Sequence, residues 1–423
     1  MNRREYCVMT NLHRRLIHRI FFMLCAAFSL GGAGYADSLK IGFTGPFTGP
    51  NAFLGDSVAH GLRLGIQHTN AAKTLNYDVS FIALNDEYNP EKTTTTVNRL
   101  IHDFKVQALV GSIGTPTAIA SLPILERYDI PLIAPITGAD ILRTERASRH
   151  IFSFRTTYQE ESFYLVKTLI CNLDITGDEI AILAQKDAYG DAGVQGLMAA
   201  LNHYGVKNAD NVLLIRYLRN HTSASHAAAD IVSSFPTPKV VFLVSTSATS
   251  AQLIKNLDEV GISPLFAALS FSGLESLATF TQTTRATTLV SQVTPPLTET
   301  NLPLIKEFLE DYERYSQDAS APTTLELDGY ISARFFGYIL SKYHPNTPPT
   351  STEIITTLKN LDEFDLGLET MLSLSRKINS DTLAPPKIWL SAVLDGEAVS
   401  VSNNQQASIH IEAIPFSVGA QNE

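Results

Sequence analysis

From residue 39 onward, short apolar runs alternate with longer segments in which apolar residues recur every three or four positions. The first series of apolar runs reads LKIGFTG, VSFIALND, ALVGSIG and PLIAPIT, and the second reads EIAILAQ, NVLLIRYL, VVFLVST and LFAALSF. Such runs predict buried strands, and the periodic segments between them predict helices. Strands that alternate with helices predict parallel sheets with helices on both faces. The pattern therefore predicts an α/β fold with two similar, doubly wound lobes.

The end of the chain departs from this alternation. Two long helical patterns, LPLIKEFLEDYERYSQ and LELDGYISARFFGYILSKY, precede the short pattern EIITTLKNL, and IWLSAVLDGEAVSVS then alternates as an antiparallel hairpin does. We expect the helices to complete the first lobe and the hairpin to complete the second. The predicted lobes comprise residues 37–157 with 293–364, and residues 158–292 with 365–423.

This arrangement predicts three places where the chain crosses between the lobes. They lie near residues 156–161, 291–296 and 364–368. Several adjacent crossings form a hinge about which two rigid lobes can close on a ligand.

Residues 1–36 have the pattern of a leader. Five arginines precede an apolar run over residues 20–30, and the small residues Gly34 and Ala36 follow. This pattern predicts a secretory signal peptide and a periplasmic mature protein. The run is too short to span a bilayer, and Leu24 before Cys25 disfavours a lipoprotein cleavage site, so no stable membrane insertion is expected.

Composition narrows the classes of partner. The chain has 423 residues, of which 44% are hydrophobic and 17% charged, enough for a large core. Without the leader's five arginines and one glutamate, 27 basic and 41 acidic residues remain, a formal charge of −14. Nucleic acid is therefore not an expected partner, because phosphate binding needs a basic surface. Only Cys171 remains of the three cysteines, so the mature chain cannot form an internal disulfide.

Several segments, in order over essentially the whole mature chain, carry a family resemblance. They are IGFTGPFTGPNAFLGDSVAHGLRLGIQHTN, LNDEYNPEKTTTTVNRLI, VGSIGTPTA, the DAYG of residues 187–190 and the helix beginning DGY at residue 328. Together they resemble the branched-chain amino acid (leucine/isoleucine/valine)-binding type of periplasmic solute-binding protein. The resemblance implies a type I fold of two lobes joined by three crossovers. It also implies that a small ligand is delivered to an ABC permease and ATPase complex.

Two loops of the first lobe are candidates for binding the ligand. In parallel sheets, ligands bind beyond the carboxyl ends of the strands, where the Gly-Thr-Pro-Thr and Thr-Gly-Ala sequences fall. We expect Thr115 to cap a helix with Pro116 in its first turn, so that the helix N-terminus can bind a carboxylate. Thr137 and Gly138 would lie beside it. The alternative is that both threonines only cap helices, but the resemblance matches these positions to ligand-contacting loops.

The resemblance adds residues from the other lobe and from the first helix. Tyr189 matches an aromatic residue that faces the ligand, and Ser247 and Ser272 follow later strands. For Tyr189 the alternative is packing in the hinge. Leu54 falls where some relatives have a bulky aromatic residue over the ligand's side chain. The resemblance therefore does not define the shape of the pocket for that side chain.

The ammonium group of an amino acid raises a separate question. Ser272 falls where the best-known amino acid binders have an acidic residue, and a hydroxyl cannot neutralise a buried ammonium. Either Glu275, Asp187 or Asp328 substitutes, or the ligand is not a zwitterionic amino acid. We favour the second alternative, with amides and carboxylates as candidate ligands.

The sequence gives little support to catalysis. It contains no HExxH, CxxC, GxSxG or phosphate-binding GxxxxGK[ST] motif, and we expect no metal, no cofactor and no enzymatic activity. A transport receptor is the leading hypothesis. A ligand sensor of the same fold that is coupled to a membrane protein is the first alternative, and a secreted enzyme is the second.

Overall fold

A computed structural model describes residues 38–170, 173–317, 320–361, 363–374 and 387–401. The predicted signal peptide and Cys171 lie outside these residues. Among the helices in the described part, none is long and apolar enough to cross a membrane.

The first lobe is built on a parallel sheet of five strands. The strands are β1 (Leu39–Gly45), β2 (Val79–Asn85), β3 (Ala108–Val110), β4 (Leu132–Ile133) and β5 (Ile151–Phe152). Their spatial order is β2-β1-β3-β4-β5. The helices between them are α1 (Ala52–Ala71), α2 (Pro90–His102) and α3 (Thr115–Tyr128). Strand β5 was not predicted, because two paired residues leave no periodic pattern.

The second lobe is built on a mixed sheet of seven strands. Its strands are β6 (Ile180–Gln185), β7 (Leu213–Tyr217), β8 (Val240–Val244), β9 (Leu265–Ala268), β10 (Thr288–Gln292), β13 (Trp389–Leu394) and β14 (Glu397–Val401). Its helices are α4 (Tyr158–Ile170), α5 (Ala188–His203), α6 (Ser225–Ser233), α7 (Ser247–Glu259) and α8 (Leu274–Thr281). The order is β14-β13-β10-β9-β8-β6-β7. Strand β13 pairs antiparallel with both β10 and β14, which confirms the predicted hairpin.

The remaining elements lie between β10 and β13. They are α9 (Pro303–Tyr315), α10 (Thr324–Tyr343), α11 (Ser351–Lys359) and a small antiparallel pair, β11 (Glu363–Phe364) and β12 (Leu372–Ser373). A capping box starts α10, since Thr323 Oγ1 accepts from the Glu326 N–H at 3.2 Å and Glu326 Oε2 accepts from the Thr323 N–H at 2.7 Å. The chain thus leaves the second sheet after β10 and returns to it at β13.

Helix α10 belongs to the first lobe because it packs closely against α1. A Cβ atom on Gly61 would lie 1.8 Å from the Glu326 carbonyl oxygen, and one on Gly329 would lie 2.2 Å from the Val58 carbonyl oxygen. Only glycine allows the two backbones to approach so closely. The two-lobe α/β class predicted from the pattern is therefore confirmed, while the lobe boundaries stay a prediction.

Candidate functional site

The predicted site residues lie in loops and first helical turns that follow β1, β3 and β4 in the first lobe and β6, β8 and β9 in the second. All eight are buried: Leu54, Thr115, Pro116, Thr137, Gly138, Tyr189, Ser247 and Ser272. Parallel strands within one sheet bring such loops to the same edge. The question is which of these side chains meet.

Thr115 and Thr137 meet directly. Their Oγ1 atoms are 2.7 Å apart, and both residues are buried. The prediction that Thr115 caps α3 is wrong, because Gly114 occupies the cap position and Thr115 is the first helical residue. Gly114 has a φ of 95°, and a Cβ atom there would lie 2.3 Å from the Tyr88 ring. The Thr115 hydroxyl therefore bonds to the neighbouring Thr137 loop and does not cap the start of α3. Pro116 lies in the first turn, as predicted.

Gly138 connects the first lobe to the start of α4. Its carbonyl oxygen accepts from the Tyr158 N–H at 2.9 Å, and a Cβ atom on Gly138 would lie 2.7 Å from the Thr156 carbonyl oxygen. Glycine is thus required by this close approach. The contact places the Tyr158 ring beside the Thr137 loop. Sequence reasoning missed Tyr158, although it lies within the first predicted crossing.

Four buried aromatic rings form a cluster between the two sets of loops. Ring centroids are 5.2 Å apart for Tyr158 and Tyr189, 4.8 Å for Tyr189 and Phe271, and 6.0 Å for Tyr88 and Phe271. Burial raises the pKa of Tyr158 to about 12, although the Thr137 hydroxyl opposes the shift. Burial also raises the pKa of Tyr189 well above its usual value. Both phenols are therefore neutral hydrogen-bonding groups at physiological pH.

Two of the eight predicted site residues have a buried hydroxyl without a hydrogen-bond partner. They are the Oη atom of Tyr189 and the Oγ atom of Ser247, which follow β6 and β8. Buried polar groups are paired in the great majority of cases, and an unpaired one destabilises the protein by about 1–3 kcal/mol. Each of these hydroxyls therefore retains an unused capacity to form a hydrogen bond.

Ser272 and Leu54 both make contacts within the protein. The Ser272 hydroxyl donates to the Ser245 carbonyl oxygen at 2.6 Å and so holds two loops of the second lobe together. Leu54 is fully buried in the same hydrophobic core as Tyr158 and Tyr189. Its side chain fits the role of an apolar wall.

Two of the three acids considered for an ammonium group already have partners. Glu275 accepts from the Thr324 N–H at 3.0 Å and from the Thr324 hydroxyl at 2.9 Å. Asp328 accepts from Arg155 Nη1 at 2.6 Å. Asp328 is therefore paired with a cation, and both Glu275 oxygens are bonded to the start of α10.

The third acid, Asp187, is the cap of α5. It accepts from the Tyr189 N–H at 3.1 Å and from Gln185 Nε2 at 2.7 Å. Arg219 Nε lies 3.4 Å from the same carboxylate. Burial raises the pKa of Asp187, and Arg219 opposes the shift. The carboxylate is thus committed to the helix terminus, to Gln185 and to a cation.

A buried polar network lies at the hinge. Arg155 donates from Nη2 to Ser270 Oγ at 3.1 Å, and Ser270 donates to Glu161 from its N–H at 2.8 Å and from its hydroxyl at 3.0 Å. Ser291 also donates to Glu161, at 2.6 Å. Burial raises the pKa of Glu161, and Arg155 opposes the shift. The network links the first crossing to the loop that carries Ser272. Its partners are 109 to 130 positions apart in the sequence, so no local pattern signals it.

Polar contacts also join the lobes at the mouth of the cleft. Asn51 Nδ2 donates to Asn220 Oδ1 at 2.8 Å, and Asn220 Nδ2 donates to the Glu87 carbonyl oxygen at 2.9 Å. Gln185 Nε2 donates to the Tyr88 hydroxyl at 3.4 Å. These three hydrogen bonds therefore join segments of the two predicted lobes beside the aromatic cluster. In the described residues, no group of three or more histidine, cysteine or acidic side chains could hold a metal ion.

Comparisons with known proteins agree with this fold. A family model described as "Periplasmic binding protein" matches residues 38–382. The Leu/Ile/Val-binding protein homolog 2 of Brucella abortus is 25% identical over 185 residues, which are 44% of this chain and 48% of that protein, so the match spans about half of the relative. A crystal structure of a possible leucine/isoleucine/valine-binding protein from Rhodopirellula baltica has 28% identity and a TM-score of 0.79 over 88% of this chain and 99% of that one. A solute-binding protein from R. palustris in complex with benzoate has 18% identity and a TM-score of 0.68 over 86% of this chain and 96% of that one.

Proposed function

Because the chain belongs to the periplasmic binding protein family, we propose that it is a receptor that captures a small solute between its lobes. The solute is delivered to an ABC importer, and the leader, residues 1–36, directs the protein to the periplasm. The observation that carries the proposal is the pair of unpartnered buried hydroxyls, Tyr189 Oη and Ser247 Oγ, beside an aromatic cluster between the lobes. Binding without chemistry is what such a site can do.

The proposed ligand is a small carboxylate or amide that does not need an acidic partner for an ammonium group. Support comes from Glu275, Asp328 and Asp187, each of which is already bonded within the protein. A buried ammonium without a counter-charge is strongly unfavourable. The R. palustris protein of the same fold is in complex with benzoate, a carboxylate that has no ammonium group.

The polar end of the ligand is proposed to lie at the start of α3. There the Thr115 and Thr137 hydroxyls and the positive end of the helix dipole favour a carboxylate without a cationic side chain. Tyr189, Tyr158 and Leu54 then surround the apolar body of the ligand. Ser247 offers a hydroxyl from the second lobe. A ligand that touches both lobes favours the closed state by the difference in its affinity for the closed and open states.

A thermal-shift panel tests the ligand class. Each branched-chain amino acid is paired with its des-amino acid, for example leucine with 4-methylpentanoate, and native mass spectrometry identifies any molecule that co-purifies. A ligand at 100 times its dissociation constant stabilises the folded protein by about 2.7 kcal/mol. We expect at least one des-amino carboxylate or amide to stabilise the protein. If leucine, isoleucine or valine stabilises the protein and no des-amino analogue changes its melting temperature, the ammonium group is recognised.

A further inference from the structure

A second cavity lies at the hinge, with a volume of about 360 Å³. All three segments that connect the lobes line it, through residues 154–156, 293–295 and 368–373. The rest of the wall is formed by residues 134–136, which precede the Thr137 loop, by α10, by Lys387 and by the start of β13. None of the eight predicted site residues is among the described residues that line it. Its volume falls in the range of sites that bind small molecules.

The wall of this hinge cavity is mainly apolar, and its charges are paired. Phe154, Ile331 and Trp389 contribute apolar surface. Arg155 Nη1 lies 2.6 Å from Asp328 Oδ2, and Lys387 Nζ lies 2.6 Å from Glu369 Oε2 and 3.9 Å from the centre of the Trp389 ring. An ion that entered would lose its hydration without finding a free counter-charge. The wall thus favours an uncharged occupant.

One buried donor in the wall lacks a partner. Arg155 is 8% exposed, and its Nε–H has no hydrogen-bond acceptor although both terminal nitrogens are bonded. A water-sized atom in the cavity does not reach this nitrogen, so the apolar surface and the paired charges define what the cavity accepts.

We infer that the hinge cavity is a second binding site, which takes a small uncharged molecule with an apolar body. This site is separate from the cleft and does not require the cleft to bind a solute.

Occupancy of the hinge cavity is coupled to the angle between the lobes. All three connecting segments form its wall, so rotation about the hinge changes its shape. Arg155 also donates to Ser270, which lies in the same short turn as Ser272 beside the cleft. A molecule that fits one lobe angle better shifts the population towards it, and the effect on cleft affinity is reciprocal. This coupling, unlike the binding itself, rests on the proposed function.

The chain has a single tryptophan, and it lines the hinge cavity, so intrinsic fluorescence reports on this site. The full chain is titrated with cyclohexanone, which is uncharged and has an apolar ring and one carbonyl acceptor. Cyclohexylamine, which is charged at pH 7, is the matched control. We expect a saturable change in Trp389 emission with cyclohexanone and none with cyclohexylamine. A response that rises linearly, or that is the same for both compounds, would overturn the inference.

Two variants locate the response. Thr370→Phe adds a ring at a half-buried position of the cavity wall, and Leu372→Phe serves if that variant does not fold. We expect either to raise the dissociation constant of cyclohexanone by about tenfold or more, because the added ring occupies the space. Thr95→Phe, at an exposed position of α2, is the control and leaves the titration unchanged. An unchanged affinity in both filling variants would contradict the assignment.

A cleft variant separates this inference from the proposed function. Thr115→Val leaves the cyclohexanone titration intact if the probe binds at the hinge. Loss of the response in Thr115→Val would place the probe in the cleft and overturn the inference. A protein that binds cyclohexanone but no solute in the thermal-shift panel would contradict the proposed function alone.

Discussion

The Thr115→Val substitution tests the proposed polar end of the ligand site. Valine has nearly the same shape as threonine and a similarly restricted χ1 angle, so the packing at the start of α3 is kept. The change removes the hydroxyl that lies 2.7 Å from Thr137 Oγ1. Any ligand oxygen bonded to Thr115 then loses a donor.

The expected effects on stability and on binding differ in size. Thr137 Oγ1 keeps one contact after the substitution, because it accepts from the Ala139 N–H at 3.3 Å. Loss of the neutral hydroxyl pair should therefore lower the free energy of unfolding by about 1 kcal/mol. A lost bond to a charged carboxylate should weaken binding by about 1.5–3 kcal/mol, or roughly 10- to 150-fold in the dissociation constant.

Calorimetry gives the affinity of Thr115→Val for a ligand found in the thermal-shift panel, and urea denaturation gives its stability. Thr117→Val is the matched control, since Thr117 is buried in the same turn and its hydroxyl donates to the Gly114 carbonyl oxygen at 2.9 Å. We expect the control to lose stability and keep its affinity. If Thr115→Val loses stability but binds as tightly as the wild type, Thr115 only holds the two loops together.

Three further predictions concern single residues. Tyr189→Phe removes an unpartnered buried hydroxyl. The ligand-free variant should therefore unfold at an equal or higher urea concentration, and calorimetry should show weaker ligand binding. A variant that loses stability and binds normally would contradict this prediction. In Asn220→Gly, glycine can adopt the φ of 62° at this position, but the hydrogen bonds to Asn51 and Glu87 are lost. We expect the dissociation constant of the ligand to rise several-fold. An unchanged dissociation constant would show that these bonds do not favour closure. Burial raises the pKa of the Asp140 carboxyl from 3.8 to about 6, and Arg143 opposes the shift. The folded protein therefore binds this proton more tightly than the unfolded chain does. The resulting stability is present below pH 3.8 and is lost as the pH rises through 6. Asp140→Asn should therefore be more stable than the wild type by about 1 kcal/mol at pH 7.5, with partial exposure discounted, and no more stable at pH 3.5, as denaturation at both pH values would show.

The sequence pattern predicted the elements that have a clear period. The alternation of apolar runs and helical segments predicted the long strands of both sheets, and the period-two pattern near the end predicted the β13–β14 hairpin. Strand β5 and the β11–β12 pair were missed, because each strand contributes only two paired residues. Strand β4 is equally short but was predicted, because it lies within the longer apolar run PLIAPIT.

The candidate site was predictable only in part. The loops that carry Thr115, Thr137 and Tyr189 follow from the rule that ligands bind beyond strand ends. That Gly114 would take the cap position was not predicted, because its positive φ and its close approach to the distant Tyr88 ring are seen only in the folded structure. The Arg155 network was missed for a similar reason, since contacts between remote segments leave no local pattern.

Small-angle X-ray scattering with and without a saturating ligand tests most directly the central claim that the protein binds a solute by lobe closure. Polar contacts join the two lobes beside the aromatic cluster, as expected of a closed state. We predict that the radius of gyration falls when a ligand from the panel saturates the protein. A radius that stays the same at saturation would contradict closure about the hinge.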